Sequence, residues 1–179
     1  MGAAGRIERR NAEHGMSEGS FSEDEAACAE VAFRPPTLFL AGLALASVLE
    51  LVYPLGPGLA QGSRRPIAIG LVIGVAGFAL CWQAVRRFAD ESTYIELDKP
   101  TTALVTVGPY RLSRNPIYVG LVLIYFGLAM ALTSVWALIL LPGLIWLLQK
   151  GVILPEEEFL EKKFGEKYRA YKRRVPRWL

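Results

Sequence analysis

The chain has 179 residues, 53% of them hydrophobic, with a net charge of +3 and a mean hydropathy of +0.31. That is little more than one domain's length and too apolar for a soluble fold of this size, so the composition points to a membrane protein. Cys28 and Cys81 stand in unlike segments and the single histidine, His14, lies in a polar tail, so no disulfide framework, metal site or Ser-His chemistry is expected.

Residues 1–33 mix Gly, Ser, Glu and Ala without a sustained period and read as a disordered leader within a cytoplasmic tail, 1–34. No apolar stretch follows the early arginines as in a cleaved signal peptide, and Arg6 stands where a myristoylation signal needs Ser or Thr. Four apolar segments follow. The first, 38–53, makes only about 24 Å of helix against a hydrocarbon core of roughly 30 Å, unless PLGPGLA extends it. Glu50 is an acid inside that segment, placed by nearby Tyr53 toward an interface. The second, 67–85, carries no charge, and Gly70, Gly74 and Gly77 give it a small-residue stripe that lets a neighbouring helix approach closely. Segments 116–133 and 135–154 are separated by little more than Ser134, which demands an antiparallel helical hairpin, and Pro142 with Gly143 can kink its second arm.

Residues 155–174 read as a helix leaving the membrane. Pro155 suits a first turn, and Glu156, Glu157 and Glu158 complement the positive end of the helix dipole. Leu160, Phe164 and Tyr168 recur every four residues, with basic residues all around, so this segment by itself reads as an amphipathic helix lying on anionic lipid. The expected architecture is an all-α integral membrane protein with about four transmembrane helices (about 37–55, 67–85, 116–133 and 135–154). A tight C-terminal hairpin and a cytoplasmic amphipathic helix complete a single domain over 35–179. On that topology, 18 of the 20 Lys and Arg residues fall on one face of the membrane and two on the other. The excess places both termini and the second loop in the cytoplasm. The polar segments 90–115 and 155–179 then share a side and can build one site.

Two stretches carry the chemistry. "GPYRLSRNPIYVG" spans residues 108–120, and after the hairpin comes "EEEFLEKKFGEKYRAYKRRVPRWL". Together, from about Leu104 onward, they resemble the isoprenylcysteine carboxyl methyltransferase family and its phospholipid methyltransferase relatives. The family pattern falls on Gly108 to Arg111, Arg114 to Gly120, Glu156 and Glu157, Phe164 to Tyr168, and Val175 to Arg177. Asn115 departs from it, occupying the family's histidine position; an amide donates and accepts hydrogen bonds but does not titrate.

The resemblance implies S-adenosylmethionine as cofactor, with Arg114 and Asn115 at the reacting end. Gly108, Pro109, Tyr110, Arg111, Asn115, Tyr118, Glu156, Glu157 and Tyr168 are the implied cofactor-binding residues. These residue types suit that ligand: its sulfonium and ammonium are cations for carboxylates such as Glu157 and for the faces of Tyr118, Tyr168 or Trp178. Its carboxylate suits Arg114. The implied partners are membrane lipid and a small lipid-like acceptor, a carboxylate if the isoprenylcysteine precedent holds, with no nucleic acid. Each residue also has a plainer reading: Arg111 and Arg114 as charge anchors, Tyr110 and Tyr118 as interfacial aromatics, the glutamates as helix-start charges. A nicotinamide-dependent membrane reductase and a non-enzymatic four-span protein are the competing readings of the whole.

Overall fold

The computed structural model describes residues 34–55, 64–93 and 104–179. The expected 1–33 tail, with His14 and Cys28, lies outside the described residues, as do most of PLGPGLA and Lys99. Among the described residues the fold is all-helical. Helix α1, Pro35–Val52, starts with two prolines whose missing N–H groups would be orphans there anyway. Helix α2 is Arg65–Thr93. A 3₁₀ turn at Gly108–Arg111 leads into α3, Pro116–Ala131.

The expected hairpin is present. Leu132 to Ser134 reverse the chain, with Thr133 in the left-handed region at φ 55°. The Ser134 hydroxyl then accepts from the Ala137 amide at 3.3 Å and caps α4, Val135–Leu148. Helix α4 continues through Pro142. The departure from α geometry comes later, in a π-helical turn at Gln149–Ile153 that passes directly into α5, Leu154–Phe164. Val135–Phe164 is thus one 30-residue rod, where a separate span and tail helix are expected.

The expected single helix over 155–174 is broken at Gly165, whose φ of 53° and ψ of −124° only glycine adopts readily, and α6 follows as Glu166–Arg174. Its apolar stripe does not lie open to lipid. Tyr168, Tyr171 and Val175 are buried against Leu104, Leu160 and Phe164, so the segment preceding the 3₁₀ turn covers it.

Pro35–Val52, Arg65–Ala89 and Val135–Phe164 are long and apolar enough to cross a membrane, and Pro116–Ala131 is a shorter apolar helix of 16 residues. Helix α2 exposes Leu71, Val72, Val75, Phe78 and Trp82, a face that water would not tolerate and lipid accepts. The arrangement is that of a multi-pass membrane protein. Side-chain burial is therefore confined to helix contacts, of which the tightest joins α2 to α3. A Cβ on Gly127 would lie 2.5 Å from the Gly70 carbonyl, and one on Gly120 2.7 Å from that of Gly77. Two glycines of the expected stripe thus meet two on α3. Gly74 lends its backbone to the contact, but its own missing Cβ would point into open space. Helix α1 packs instead on α4, with Gly42 against Leu144 and the Trp136 indole donating to the Tyr53 carbonyl at 2.7 Å.

Candidate active site

The two polar segments meet at one end of the bundle. Gly108, at φ 61°, opens the 3₁₀ turn, and Pro109 closes it by accepting from the Leu112 and Ser113 amides at 3.1 and 3.3 Å. The Tyr110 carbonyl at the turn accepts from the Tyr171 hydroxyl of α6 at 2.7 Å. The chain from Pro176 to Trp178 then crosses the following loop as a strap. The Pro176 carbonyl accepts from the Arg114 amide at 2.9 Å. That of Arg177 accepts from the Ser113 hydroxyl at 3.0 Å and from Asn115 Nδ2 at 3.2 Å. The Trp178 indole donates to Gln149 in the π-helical turn at 3.0 Å.

Electrostatics sort the two glutamates. Glu157 is buried and accepts a bidentate pair from Arg177, both contacts 2.9 Å, with Arg114 Nη1 3.1 Å from the same carboxylate. The expectation that Glu157 holds a cationic part of the cofactor thus meets a carboxylate already shared by two guanidiniums. That carboxylate in turn holds the Arg177 pKa above its ordinary value, chiefly by hydrogen bonding. Glu156 is the freer acid: it stays accessible, and its Oε2 accepts from the Tyr118 hydroxyl at 2.9 Å. Arg114 is left incompletely satisfied. Its Nε and Nη1 are buried without a hydrogen-bond partner among the described residues, because the Glu157 contact has ion-pair distance but not hydrogen-bond alignment.

These groups surround a cavity of about 110 Å³. Of the expected residues, Tyr110, Arg114, Asn115, Glu156, Glu157 and Tyr168 line it, and Tyr118 reaches it through Glu156. Gly108 and Pro109 shape the turn that carries Tyr110. Arg111 does not join them; it lines a separate groove. Burial, with a smaller contribution from the Glu156 charge, pushes the Tyr110 pKa up to about 12, and burial likewise raises those of Tyr168 and Tyr171. All three phenols stay neutral near pH 7, offering hydroxyls and ring faces rather than charge. Sequence reasoning missed Arg177, Ser113 and Gln149 as parts of this constellation. Arg177 had a signal, since it closes the Val-Pro-Arg end of the recognised pattern; the others had none.

A helical bundle thus gathers a buried arginine, an accessible glutamate and several tyrosines at one end. A family model described as phospholipid methyltransferase matches residues 65–167. With more than half its length matched, the chain belongs to the phospholipid methyltransferase family. It is an S-adenosylmethionine-dependent methyltransferase, and its acceptor is a lipid. The match begins well before Leu104, taking in α2. An uncharacterized protein of Haemophilus influenzae is 40% identical over 63 residues, which cover 31% of this chain and 98% of the relative. No solved structure matches the chain.

Proposed function

We propose that the described cavity holds the amino-acid end of S-adenosylmethionine and that the methyl group passes to a small lipid-like acceptor, in the manner of the isoprenylcysteine carboxyl methyltransferases. The observation that carries this reading is the pairing of opposite charges across the cavity. Arg114, ion-paired to Glu157 through Nη1, keeps a buried Nε with no hydrogen-bond partner among the described residues, and Glu156 presents a carboxylate that accepts from the neutral Tyr118 phenol. An α-amino acid carries the complementary pair, a carboxylate for Arg114 and an ammonium for Glu156. The cavity's small volume of about 110 Å³ is in keeping with a compact head group.

The rest of the constellation works by positioning. Glu157 and Arg177 hold Arg114 in place, Asn115 ties the loop to the strap, and the faces of Tyr110 and Tyr168 suit a cation. S-adenosylmethionine supplies an electrophilic methyl on a sulfonium. Its transfer to an acceptor carboxylate or thiolate would release neutral S-adenosylhomocysteine with no proton to move, and an amine acceptor would lose its proton to solvent, so what the cavity residues would contribute is orientation and exclusion of water. In this reading the methyltransferase domain spans 35–179 behind a 1–34 tail. It crosses the membrane four times, Pro116–Ala131 included, and both termini and the site face the cytoplasm.

Calorimetric titration of the detergent-purified protein tests the assignment. Arg114→Gln and Glu156→Gln are each expected to weaken S-adenosylmethionine binding by about 1.5–3 kcal/mol while helical content is retained. Folded variants that bind as tightly as the parent would show the cofactor to lie elsewhere.

A further inference from the structure

Arg111 stands three residues before Arg114 in the chain, yet it faces a different space. A groove of about 700 Å³ lies between the 104–111 segment and the end of α5 with α6. Leu104, Val107 and Phe164 give it an apolar lining, and Arg111, Lys167 and Arg174 give it three exposed cations. Three neighbouring cations are ion-paired. Arg169 pairs with Glu161 and Glu166, Lys172 with Glu161, and Arg173 with Glu166, at 2.9–3.4 Å. No carboxylate among the described residues pairs with Arg111, Lys167 or Arg174, and Arg174 Nε donates only to the Ala170 carbonyl of its own helix. Among the described residues, three cations of this region are thus ion-paired while Arg111, Lys167 and Arg174 line one groove without an ion pair. Like charges brought together in this way are stabilised by an anion that all three contact.

The place of the groove says which anion. Arg111 comes just before Pro116, the first residue of an apolar helix, and Val107 and Leu112 beside it are exposed hydrophobics at 40% and 66%. The groove therefore lies level with the end of the apolar bundle, where lipid headgroups sit. We infer that it docks the phosphate of an anionic membrane phospholipid, at a site that adjoins the methyl-transfer cavity across Leu104, Phe164 and Tyr171 but holds its own cations. Arg111, Lys167 and Arg174 hold the phosphate oxygens, and Leu104, Val107 and Phe164 meet the glycerol and first methylenes. Nothing in this inference requires methyl transfer, so it stands or falls apart from the proposed cofactor site.

The test is titration of the full chain, in a non-ionic detergent, with short-chain phosphatidylglycerol and with the zwitterionic phosphatidylcholine of the same chain length. Phosphatidylglycerol is expected to bind more tightly. The double variant Lys167→Gln/Arg174→Gln is expected to weaken it roughly 25-fold, about fivefold per cation removed. The matched double variant Arg169→Gln/Arg173→Gln removes the same charge from paired positions and is expected to change binding less than about twofold. Retention of helical circular dichroism in both variants separates lost binding from lost folding. Equal losses in the two variants would reduce the effect to general charge and overturn the inference, as would no loss in either. Equal affinity for the two lipids also overturns it. So does displacement of the lipid by inorganic phosphate at matching concentration, which would make the site one for free phosphate.

Discussion

Asn115 is the residue at which this chain leaves its family pattern, and its surroundings assign it a holding role. Its Nδ2 donates to the Arg177 carbonyl at 3.2 Å, and its backbone N–H donates to the Ser113 hydroxyl oxygen at 3.1 Å. Neither donation needs a proton that comes and goes. Asn115→His is therefore expected to keep cofactor binding, because an imidazole N–H can replace the amide donor. Asn115→Leu removes the donor at similar size. The Arg177 carbonyl still accepts from Ser113, so the expected loss lies near the lower end for a hydrogen bond, about 1 kcal/mol in S-adenosylmethionine affinity. Isothermal titration of the three proteins decides: unchanged affinity in the leucine variant removes Asn115 from the site, and activity appearing only with histidine marks the natural chain as catalytically silent.

Among the elements, the α2–α3 contact depends most on the absence of side chains. The Gly127 Cα faces the Gly70 carbonyl and the Gly74 amide, both within 2.6 Å of where a Cβ would sit. Backbone cannot give way as a flexible side chain does. Gly127→Val must separate the helices, at an expected cost of about 1–3 kcal/mol. Gly74→Ala differs, although it lies in the same stripe. Nothing comes within 4 Å of its added methyl, so relief of backbone entropy should leave stability unchanged or raise it by roughly 0.5–1 kcal/mol. Thermal unfolding of both variants in one detergent checks the contrast, and equal melting temperatures would contradict the packing. The same region bears on the site, since the Cys81 thiol of α2 donates to the Ile117 carbonyl at 3.2 Å, two residues after Asn115.

At the scale of the molecule, the proposed topology rests on the distribution of basic residues, which four crossings would sort 18 to 2 between the two faces. Cysteines introduced at Gly62 and at Lys99, in a background lacking Cys28 and Cys81, are expected to react with impermeant reagent from opposite sides of the membrane. Reaction from the same side would remove one of the four crossings. Residues 104–116 and 155–179 are in direct contact, which requires the ends of α3 and α5 that carry them to lie on one side, as the charge count also does.

Membrane residence, the hairpin after Ala131 and the two chemistry-bearing stretches were all readable from the residues. Each depends on local, additive properties: apolar length, helix-breaking residues and motif order. The division of labour within the site was not readable. Glu156 and Glu157 are adjacent and chemically equal, yet one accepts from Arg177, 20 residues away, while the other accepts from Tyr118, 38 residues away. Arg111 and Arg114 part in the same way, one toward the groove and the other toward the cavity. Tyr168, which periodicity assigned to a lipid-facing stripe, is buried under the 104–111 segment at 1% exposure. Charge pairing and burial are set by distances across the fold, and Coulomb and hydrogen-bond energies fall off over a few ångströms. Only the tertiary structure, by bringing the strap from Pro176 to Trp178 over the loop, could decide which carboxylate was neutralised and which arginine was left with donors to spare.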